Sequence, residues 1–202
     1  LAGEARFARA RRILEIGCGS GVIAHTLGRL AGAGTQVDAV DVVDNRIERD
    51  GYAFHVVAGT DLPFPDGTFD LVVSNHVIEH VGDAAAQQRH LREIRRVLAA
   101  DGLLYLAVPN RWRLVEPHFR LPLLSWLPDA LADRYVRLAG RGSHYDCVPL
   151  GHGQALRTFA AAGFAARDAT LDALRATLRI ERPDSAVARA IADRAPGALL
   201  RL

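Results

Sequence analysis

Residues 13–21 read ILEIGCGSG, an apolar run with a single acid that leads directly into three alternating glycines. A helical pattern follows from Val22 to Leu30. This order of strand, glycine-rich turn and helix is typical of a nucleotide-cofactor pocket, because glycines admit a ligand close to the backbone and free helix amides favour anionic groups. An ordinary strand-to-helix turn has the same order, so other motifs must decide between them.

Apolar runs alternate with helical patterns over the first two thirds of the chain. Five strands are predicted, at Arg12 to Gly17, Gln36 to Asp41, Ala53 to Ala58, Asp70 to Ser74 and Leu103 to Val108. A helix is predicted from Ala84 to Ala100, ended by Asp101-Gly102 with a glycine of positive φ. The alternation predicts an α/β fold, a three-layer Rossmann-like sandwich with a mostly parallel central sheet.

The alternation of predicted strands and helices stops between Asn110 and Leu150, where prolines and aromatic residues are interspersed. This segment is too long and too apolar for a plain connection, so we expect a cap (residues 110–150) inserted after the fifth strand. A helix from Gln154 to Ala162, a sixth strand from Phe164 to Ala169 and a helical tail from Ser185 to Leu202 are predicted beyond it. No linker composition interrupts the chain, so residues 1–202 are predicted to form a single domain.

Composition excludes several classes of protein. The net charge of +2 and the lack of a dense basic run argue against a nucleic-acid partner. Two cysteines are too few for a disulfide scaffold. Neither a signal-peptide pattern nor an apolar run of about 18 residues is present, so we expect a cytoplasmic protein with no integral membrane segment. The oligomeric state is not indicated.

Several polar or small residues follow the predicted strands, namely Gly17, Asp41, Gly59 and Asn75. Because ligands bind at the carboxyl ends of parallel strands, we expect these residues to line one crevice. A carboxylate at the end of the second strand suits the two hydroxyls of a ribose. A nicotinamide-dependent dehydrogenase is disfavoured, because its turn needs the spacing Gly-x-Gly-x-x-Gly.

Three further motifs help to distinguish between the families of cofactor-binding proteins that share such a glycine-rich turn. They are DLPFPDGTFD at residues 61–70, SNHVIEHV at residues 74–81, and RRVLAADG at residues 95–102, which leads into LYLAVPN. Together with E-x-G-x-G-x-G, they resemble the class I S-adenosylmethionine-dependent methyltransferases, in particular the small-molecule branch that includes ubiquinone-biosynthesis enzymes. The resemblance covers roughly residues 12–110 and implies S-adenosylmethionine as the cofactor.

The resemblance also implies a set of cofactor-binding residues. Those implied around the methionine part are Glu15, Gly17, Cys18, Gly19 and Gly21; those at the ribose are Asp41 and Val42; those beside the adenine are Gly59, Thr60 and Asp61; and those near the transferred methyl group are Asn75 and His76. Family members often carry an acid before the small adenine residue, whereas this chain has Ala58. Adenine binding is therefore predicted to rest on backbone contacts.

Some methyl acceptors need a proton removed, and histidine is the usual base. The candidates are His80, His144 and His76. Two alternatives stay open: His80 could brace the helix start together with Glu79, and His144 could be a solvent-exposed loop residue. His25 and His55 are predicted to be structural.

No tight spacing of metal ligands is seen, so no metal is predicted. Recruitment of a metal by scattered residues such as Glu79, His80 and His144 is the alternative.

Aromatic residues in the cap predict a small-molecule acceptor with apolar character. The residues expected to bind it are Trp112, His118, Trp126 and Tyr145. The run LPLLSWLP at residues 121–128 is expected either to meet a lipid-like substrate or membrane surface, or to form the core of the cap itself. No Asn-Pro-Pro-Tyr-like run follows the fourth strand, which argues against methylation of nucleobase or amide nitrogens. The predicted function is methyl transfer to a small or lipid-like metabolite, and the alternative is a non-catalytic cofactor-binding regulator or scaffold.

Overall fold

The computed structural model describes residues 5–186 and residue 193. It contains five strands, which are β1 (Arg12–Ile16), β2 (Gln36–Asp41), β3 (Ala53–Val56), β4 (Phe69–Asn75) and β5 (Leu98–Ala107). The α-helices are α1 (Ala5–Arg9), α2 (Val22–Leu30), α3 (Ala84–Val97), α4 (Asp129–Leu138), α5 (His152–Ala161) and α6 (Thr170–Glu181). Short 3₁₀ turns occur at Ile78–His80 and Leu124–Trp126.

The five strands form one parallel sheet in the order β3-β2-β1-β4-β5. The central strand β1 pairs on both sides, with Ile13 opposite Val37 of β2 and Leu71 of β4. All four buried residues of β1 lie between helices, which explains its nearly continuous apolar sequence. The predicted α/β fold with a parallel central sheet is confirmed.

Two hydrophobic cores lie on opposite faces of the sheet. Ile13 packs into a core with Phe7 of α1 and Leu27 of α2. Its neighbour Leu14 packs into the other core, which contains Leu91 of α3. Successive strand residues point to opposite faces, so the sheet is the middle layer of three.

The boundary between α3 and β5 differs from the prediction. The helix ends at Val97, and Leu98 already pairs with Phe69 of β4. Gly102 does not adopt a positive φ; it lies inside β5, where a β-carbon would come within 2.7 Å of the Leu98 side chain. Gly102 therefore lies in the irregular part of β5, where it makes room for the Leu98 side chain and does not cap α3.

The connection between β2 and β3, residues 42–52, contains no helix. One other predicted element is wrong. Phe164 to Ala169 is not a strand: the Phe164 amide closes the end of α5 by donating to the Phe159 carbonyl, and Gly163 turns the chain at φ 85°. Among residues 5–186, no strand pairs with the outer edge of β5. Most of the predicted helix from Ser185 to Leu202 lies outside the described residues.

The cap is an insertion whose ends meet. Asn110 and Leu150 form a parallel β-bridge, and the Arg111 amide donates to the Leu150 carbonyl at 3.2 Å. Within the cap, Leu121 and Leu124 are buried against Val136 of α4. The apolar run at residues 121–128 thus supplies a core of the cap itself, while Leu123 and Trp126 of the same run stay exposed.

The contacts between residues divide the chain into two compact units, Leu1–Phe164 and Ala165–Leu202. The first holds the sheet, the cap and α5. The second contains α6, in whose first turn Asp172 forms an ion pair of 3.4 Å with Arg167. The single-domain organisation stays a prediction. None of the helices in the described part of the chain is long and apolar enough to cross a membrane.

Candidate active site

The turn after β1, residues 17–21 (the glycine loop), has its glycines at positive φ. Gly17, Gly19 and Gly21 have φ values of 72°, 49° and 81°. A β-carbon at Gly17 would collide with Val77, and one at Gly21 would collide with the Glu48 carbonyl oxygen. At Gly19 a β-carbon would meet nothing within 4 Å. The loop is therefore packed tightly at its two ends and open at its centre.

Glu15 lies beneath this loop and is 1% exposed. Its carboxylate accepts the amide of Ala24 in the first turn of α2, where the helix has no side-chain cap of its own. The second oxygen, Oε2, is buried without a hydrogen-bond partner among the described residues. Burial raises the pKa of Glu15 to about 8; the Ala24 amide opposes that rise and the nearby charge of Asp41 adds to it. An unpaired buried carboxylate oxygen is a place for a cationic ligand group.

Glu15 should make the stability of the ligand-free protein depend on pH. Between its unfolded pKa of 4.5 and its folded pKa of about 8, the folded protein holds a proton that the unfolded chain has released. Stability is then greatest at low pH in this window and falls by up to about 1.4 kcal/mol per pH unit as pH rises. Urea unfolding at several pH values should show this slope in the wild type and a reduced slope in Glu15→Gln. The exposed Glu48→Gln should keep it, and equal slopes in Glu15→Gln and wild type would contradict the assignment.

Asp41 ends β2 beside the glycine loop. Its Oδ2 accepts the Gly19 amide at 2.8 Å, and its Oδ1 accepts the Val42 amide at 2.7 Å. The side chain is thus fixed with further lone pairs on both oxygens. Cys18 is buried between the two acids, and burial, then Glu15 and Asp41, raise its pKa to about 11. Val42 itself is exposed.

The predicted adenine side follows β3. Gly59 has φ 158° and open space at its β-carbon position, Thr60 is half-buried, and Asp61 is exposed. The next residues are held from α3: Glu93 accepts the Leu62 amide at 2.9 Å, and Arg96 donates to the carbonyls of Leu62 and Phe64. Asp61, the acid in this loop, is exposed, and binding of the adenine by the backbone stays a prediction.

The end of β4 carries Asn75 and then His76, whose φ of 58° is unusual for a residue with a side chain. The His76 amide is nevertheless held, because it donates to the Ala107 carbonyl of β5 at 2.9 Å. Its Nδ1 lies 3.3 Å from Oε1 of Glu79. Strained backbone of this kind is found preferentially at functional sites.

Glu79 is completely buried, and neither carboxylate oxygen has a hydrogen-bond partner in the described chain. Two imidazoles approach it: His76, and His118 of the cap, whose Nε2 lies 3.7 Å from Oε1. His118 in turn contacts His80, with 3.4 Å between their Nε2 atoms. The structure therefore brings two predicted catalytic residues, His76 and His80, together with a predicted substrate residue.

The start of α3 is capped by Asp83, whose carboxylate accepts the Ala86 amide at 2.8 Å. Glu79 and His80 instead belong to the preceding 3₁₀ turn. The alternative in which this pair braces the helix start is therefore not what the structure shows.

The third predicted catalytic residue, His144, lies apart from this group. It is exposed, and its Nδ1 is 2.9 Å from the hydroxyl of its neighbour Ser143. Its catalytic role stays a prediction. His25 and His55 have structural contacts, to the Asp50 carbonyl at 3.0 Å and to the buried Asp38 carboxylate at 2.9 Å, as expected for residues that shape the fold.

The other predicted substrate residues are divided between the surface and the interior of the cap. Trp112 and Trp126 pack edge to face with ring centroids 5.8 Å apart, and both are exposed. Tyr145 packs against Phe119 in the core of the cap, where burial raises its pKa. Their roles in substrate binding stay predictions.

Sequence reasoning missed two buried cap residues beside the histidines. Glu116 accepts Nδ1–H of His118 at 2.8 Å, and Cys147 lies 3.7 Å from Nδ1 of His80. Burial and the charges of Asp146 and Glu116 raise the pKa of Cys147. The spacing of two residues between Glu116 and His118 is the one sequence signal for these contacts. Cys147 is 67 positions from His80, so the sequence gives no signal for that contact.

Comparison with known proteins agrees with the geometry. Residues 14–106 match the family model described as a methyltransferase domain. A probable S-adenosylmethionine-dependent methyltransferase of Mycobacterium tuberculosis is 40% identical over 107 residues, which cover 50% of this chain and 37% of that protein. A ubiquinone biosynthesis O-methyltransferase of Parvibaculum lavamentivorans is 28% identical over 134 residues, 60% of this chain and 51% of the relative. The chain thus spans about half or less of the length of these relatives.

Solved structures show the same fold. A methyltransferase from Methanosarcina mazei has a TM-score of 0.56 at 21% identity and covers 75% of this chain and 78% of its own. One from Mesorhizobium loti has a TM-score of 0.54 at 17% identity and covers 80% and 81%. Residues 14–106 of this chain are thus similar to S-adenosylmethionine-dependent methyltransferase domains, and the solved structures share its fold.

Proposed function

We propose that this protein transfers a methyl group from S-adenosylmethionine to a hydroxyl of a small, partly apolar acceptor. The observation that carries the proposal is the open centre of the glycine loop at Gly19, whose amide donates to the fixed carboxylate of Asp41, together with the unpaired carboxylate oxygen of Glu15 two residues before the loop. When bound, the cofactor supplies an electrophilic methyl group on a sulfonium.

Different residues around the loop would bind different parts of the cofactor. Asp41 offers two anchored oxygens to the ribose hydroxyls. Glu15, ionised by a cationic partner, would hold the ammonium end from below the loop. The backbone around Gly59 and Thr60 would face the adenine.

Methyl transfer to a hydroxyl needs a base and a positioned acceptor more than covalent help. We assign the base to His76, because it follows the end of β4 and its Nδ1 faces the buried Glu79. If Nδ1, the nitrogen nearer the carboxylate, carries the proton, Nε2 is free to accept the hydroxyl proton.

Replacing His76 by asparagine tests this role without disturbing the backbone, because asparagine tolerates positive φ. We expect His76→Asn to keep cofactor affinity and to lose about 100-fold in turnover, with the loss of a pH-dependent limb from the rate profile. His25→Asn is the matched control, because His25 lies in α2 and contacts the Asp50 carbonyl instead of Glu79. Turnover at the wild-type rate in His76→Asn would contradict the assignment of the general base to His76.

The apolar character of the acceptor is supported by the cap. Trp112 and Trp126 are 60% and 42% exposed, and Leu114 and Val115 between them are exposed as well. Exposed apolar groups that cluster in this way commonly mark a binding surface. In the names of two relatives, the acceptor chemistry is ubiquinone biosynthesis O-methylation and ajmaline N-methylation. A cytoplasmic setting fits the two buried, unpaired cysteines.

Transfer of tritium from methyl-labelled cofactor to a panel of hydroxylated apolar metabolites tests the proposal. We expect a product heavier by one methyl group and abolition of transfer in Asp41→Ala. Tight cofactor binding without transfer to any acceptor would favour the non-catalytic alternative. A product methylated on nitrogen or carbon would overturn the acceptor class.

A further inference from the structure

Three metal-binding side chains meet where the cap contacts the 3₁₀ turn after β4. They are His80 from that turn and His118 and Cys147 from the cap, here called the donor cluster. One donor atom from each lies within 4.8 Å of the other two. Sγ of Cys147 is 3.7 Å from Nδ1 of His80 and 3.8 Å from Nδ1 of His118, while the Nε2 atoms of the two imidazoles are 3.4 Å apart. Donors around a tetrahedral zinc ion stand about 3.3–3.6 Å apart, given Zn–N near 2.0 Å and Zn–S near 2.3 Å, so an ion held by one nitrogen of each ring and by Sγ requires the three side chains to draw closer together.

The orientation of His118 is set by a buried carboxylate. Its Nδ1–H donates to Oε1 of Glu116 at 2.8 Å, and the other oxygen of Glu116 accepts the Phe119 amide at 2.6 Å. Glu116 is only 2% exposed. This partner leaves Nε2 of His118 as the unprotonated nitrogen that faces the cluster. A carboxylate behind a ligating histidine is the usual outer shell of a metal site.

The charge around the cluster favours a cation. Glu79 is 0% exposed and its oxygens have no hydrogen-bond partner in the described residues, yet Oε1 lies 3.7 Å from Nε2 of His118. The Cys147 thiol also donates toward the adjacent carboxylate of Asp146 at 3.5 Å. A buried carboxylate is costly unless positive charge stands beside it.

We propose that His80, His118 and Cys147 bind a divalent transition metal, with zinc preferred because the donors are two imidazoles and a thiol. Binding displaces the thiol proton to the solvent. Because His80 is exposed, a fourth position is open to water. The ion would fasten the cap to the end of β4, next to His76 and independently of the cofactor, so the site goes beyond the proposed methyl transfer.

A second set of donors shares His118 with the cluster. His76, Glu79 and His118 also offer three atoms within 4.8 Å of one another. This set lacks sulfur and contains a carboxylate, so it suits harder ions. The two sets are told apart by variants that remove one and keep the other.

Cobalt titration of the metal-depleted full chain tests the proposal. We expect one equivalent of Co²⁺ to bind, with a thiolate-to-cobalt charge-transfer absorption that zinc removes. Cys147→Ser should abolish the absorption and weaken binding by at least about 100-fold, and Glu116→Gln should weaken it by about 10- to 100-fold. Cys18→Ser, which removes the other cysteine, is the matched control and should keep both signals.

Three results would overturn the proposal. One is wild-type protein, folded by circular dichroism, that takes up no stoichiometric metal. Another is charge-transfer absorption that survives in Cys147→Ser or disappears in Cys18→Ser. The third is metal binding lost in Glu79→Gln but retained in Cys147→Ser, which would assign the ion to the sulfur-free set.

Discussion

Asp41→Ala should bind S-adenosylhomocysteine at least about 100-fold more weakly than the wild type. Two hydrogen bonds to a charged acceptor contribute about 3 kcal/mol to the binding free energy. Because about 1.4 kcal/mol corresponds to a factor of ten in affinity, their loss weakens binding about 100-fold. The substitution also releases the Gly19 amide, which donates to Asp41 at 2.8 Å, so the glycine loop loses its tether as well. Both losses act on the same site and in the same direction.

Isothermal titration calorimetry measures this effect directly, with thermal unfolding as the check on the fold. Asp50→Asn is the matched control, because Asp50 is an exposed acid in the neighbouring loop. That variant should bind as the wild type does. An unchanged affinity in Asp41→Ala would refute the assignment of Asp41 to the ribose.

Alanine at Gly21 and alanine at Gly19 should fail in different ways, although the two glycines lie in one turn. At Gly21 the new methyl group would collide with the Glu48 carbonyl, in addition to the strain of φ 81°. Positive φ costs about 1–2 kcal/mol and overpacking about 1–3 kcal/mol. Gly21→Ala should therefore lose about 2–5 kcal/mol of a total stability of about 5–15 kcal/mol.

Gly19→Ala should lose only the strain of positive φ, about 1–2 kcal/mol, because its methyl group would meet nothing within 4 Å. That methyl group would instead occupy the open centre of the loop and block the cofactor. Urea unfolding and calorimetry on both variants separate stability from binding. Normal cofactor affinity in Gly19→Ala, or an unaltered unfolding midpoint in Gly21→Ala, would contradict this view of the loop.

The first half of the fold could be predicted because its signals are local. The apolar run of β1 is buried on both faces, and the three glycines after it adopt positive φ. Asp41 follows β2 at the position that the parallel register brings next to the glycine loop. Strand ends, glycines and acids in this order are set by short-range geometry, so sequence alone placed them.

Elements that depend on distant partners were predicted poorly. Leu98 has helix-compatible neighbours, but its pairing with Phe69 of β4 draws it into β5. Phe164 to Ala169 has an apolar start, yet its Phe164 amide donates to the Phe159 carbonyl at the end of α5, and within residues 5–186 the outer edge of β5 stays unpaired. A strand is a property of two segments, and one segment's composition does not fix it.

The histidine-rich side of the site could be predicted only in part. His76 and His80 were found because they follow β4 directly. Cys147 and Glu116 come from the cap, whose ends return to the sheet at the bridge between Asn110 and Leu150. The contact of Cys147 with His80, 67 positions away, is tertiary, and no spacing along the chain indicates it.

The central claim is that the loop between Glu15 and Asp41 binds S-adenosylmethionine. Isothermal titration calorimetry of the folded wild-type chain with S-adenosylhomocysteine tests this claim most directly. The account predicts saturable binding of one molecule per chain, lost in Asp41→Ala and in Gly19→Ala while both variants keep their fold. Absence of binding to folded wild-type protein, or wild-type affinity in either variant, would contradict it.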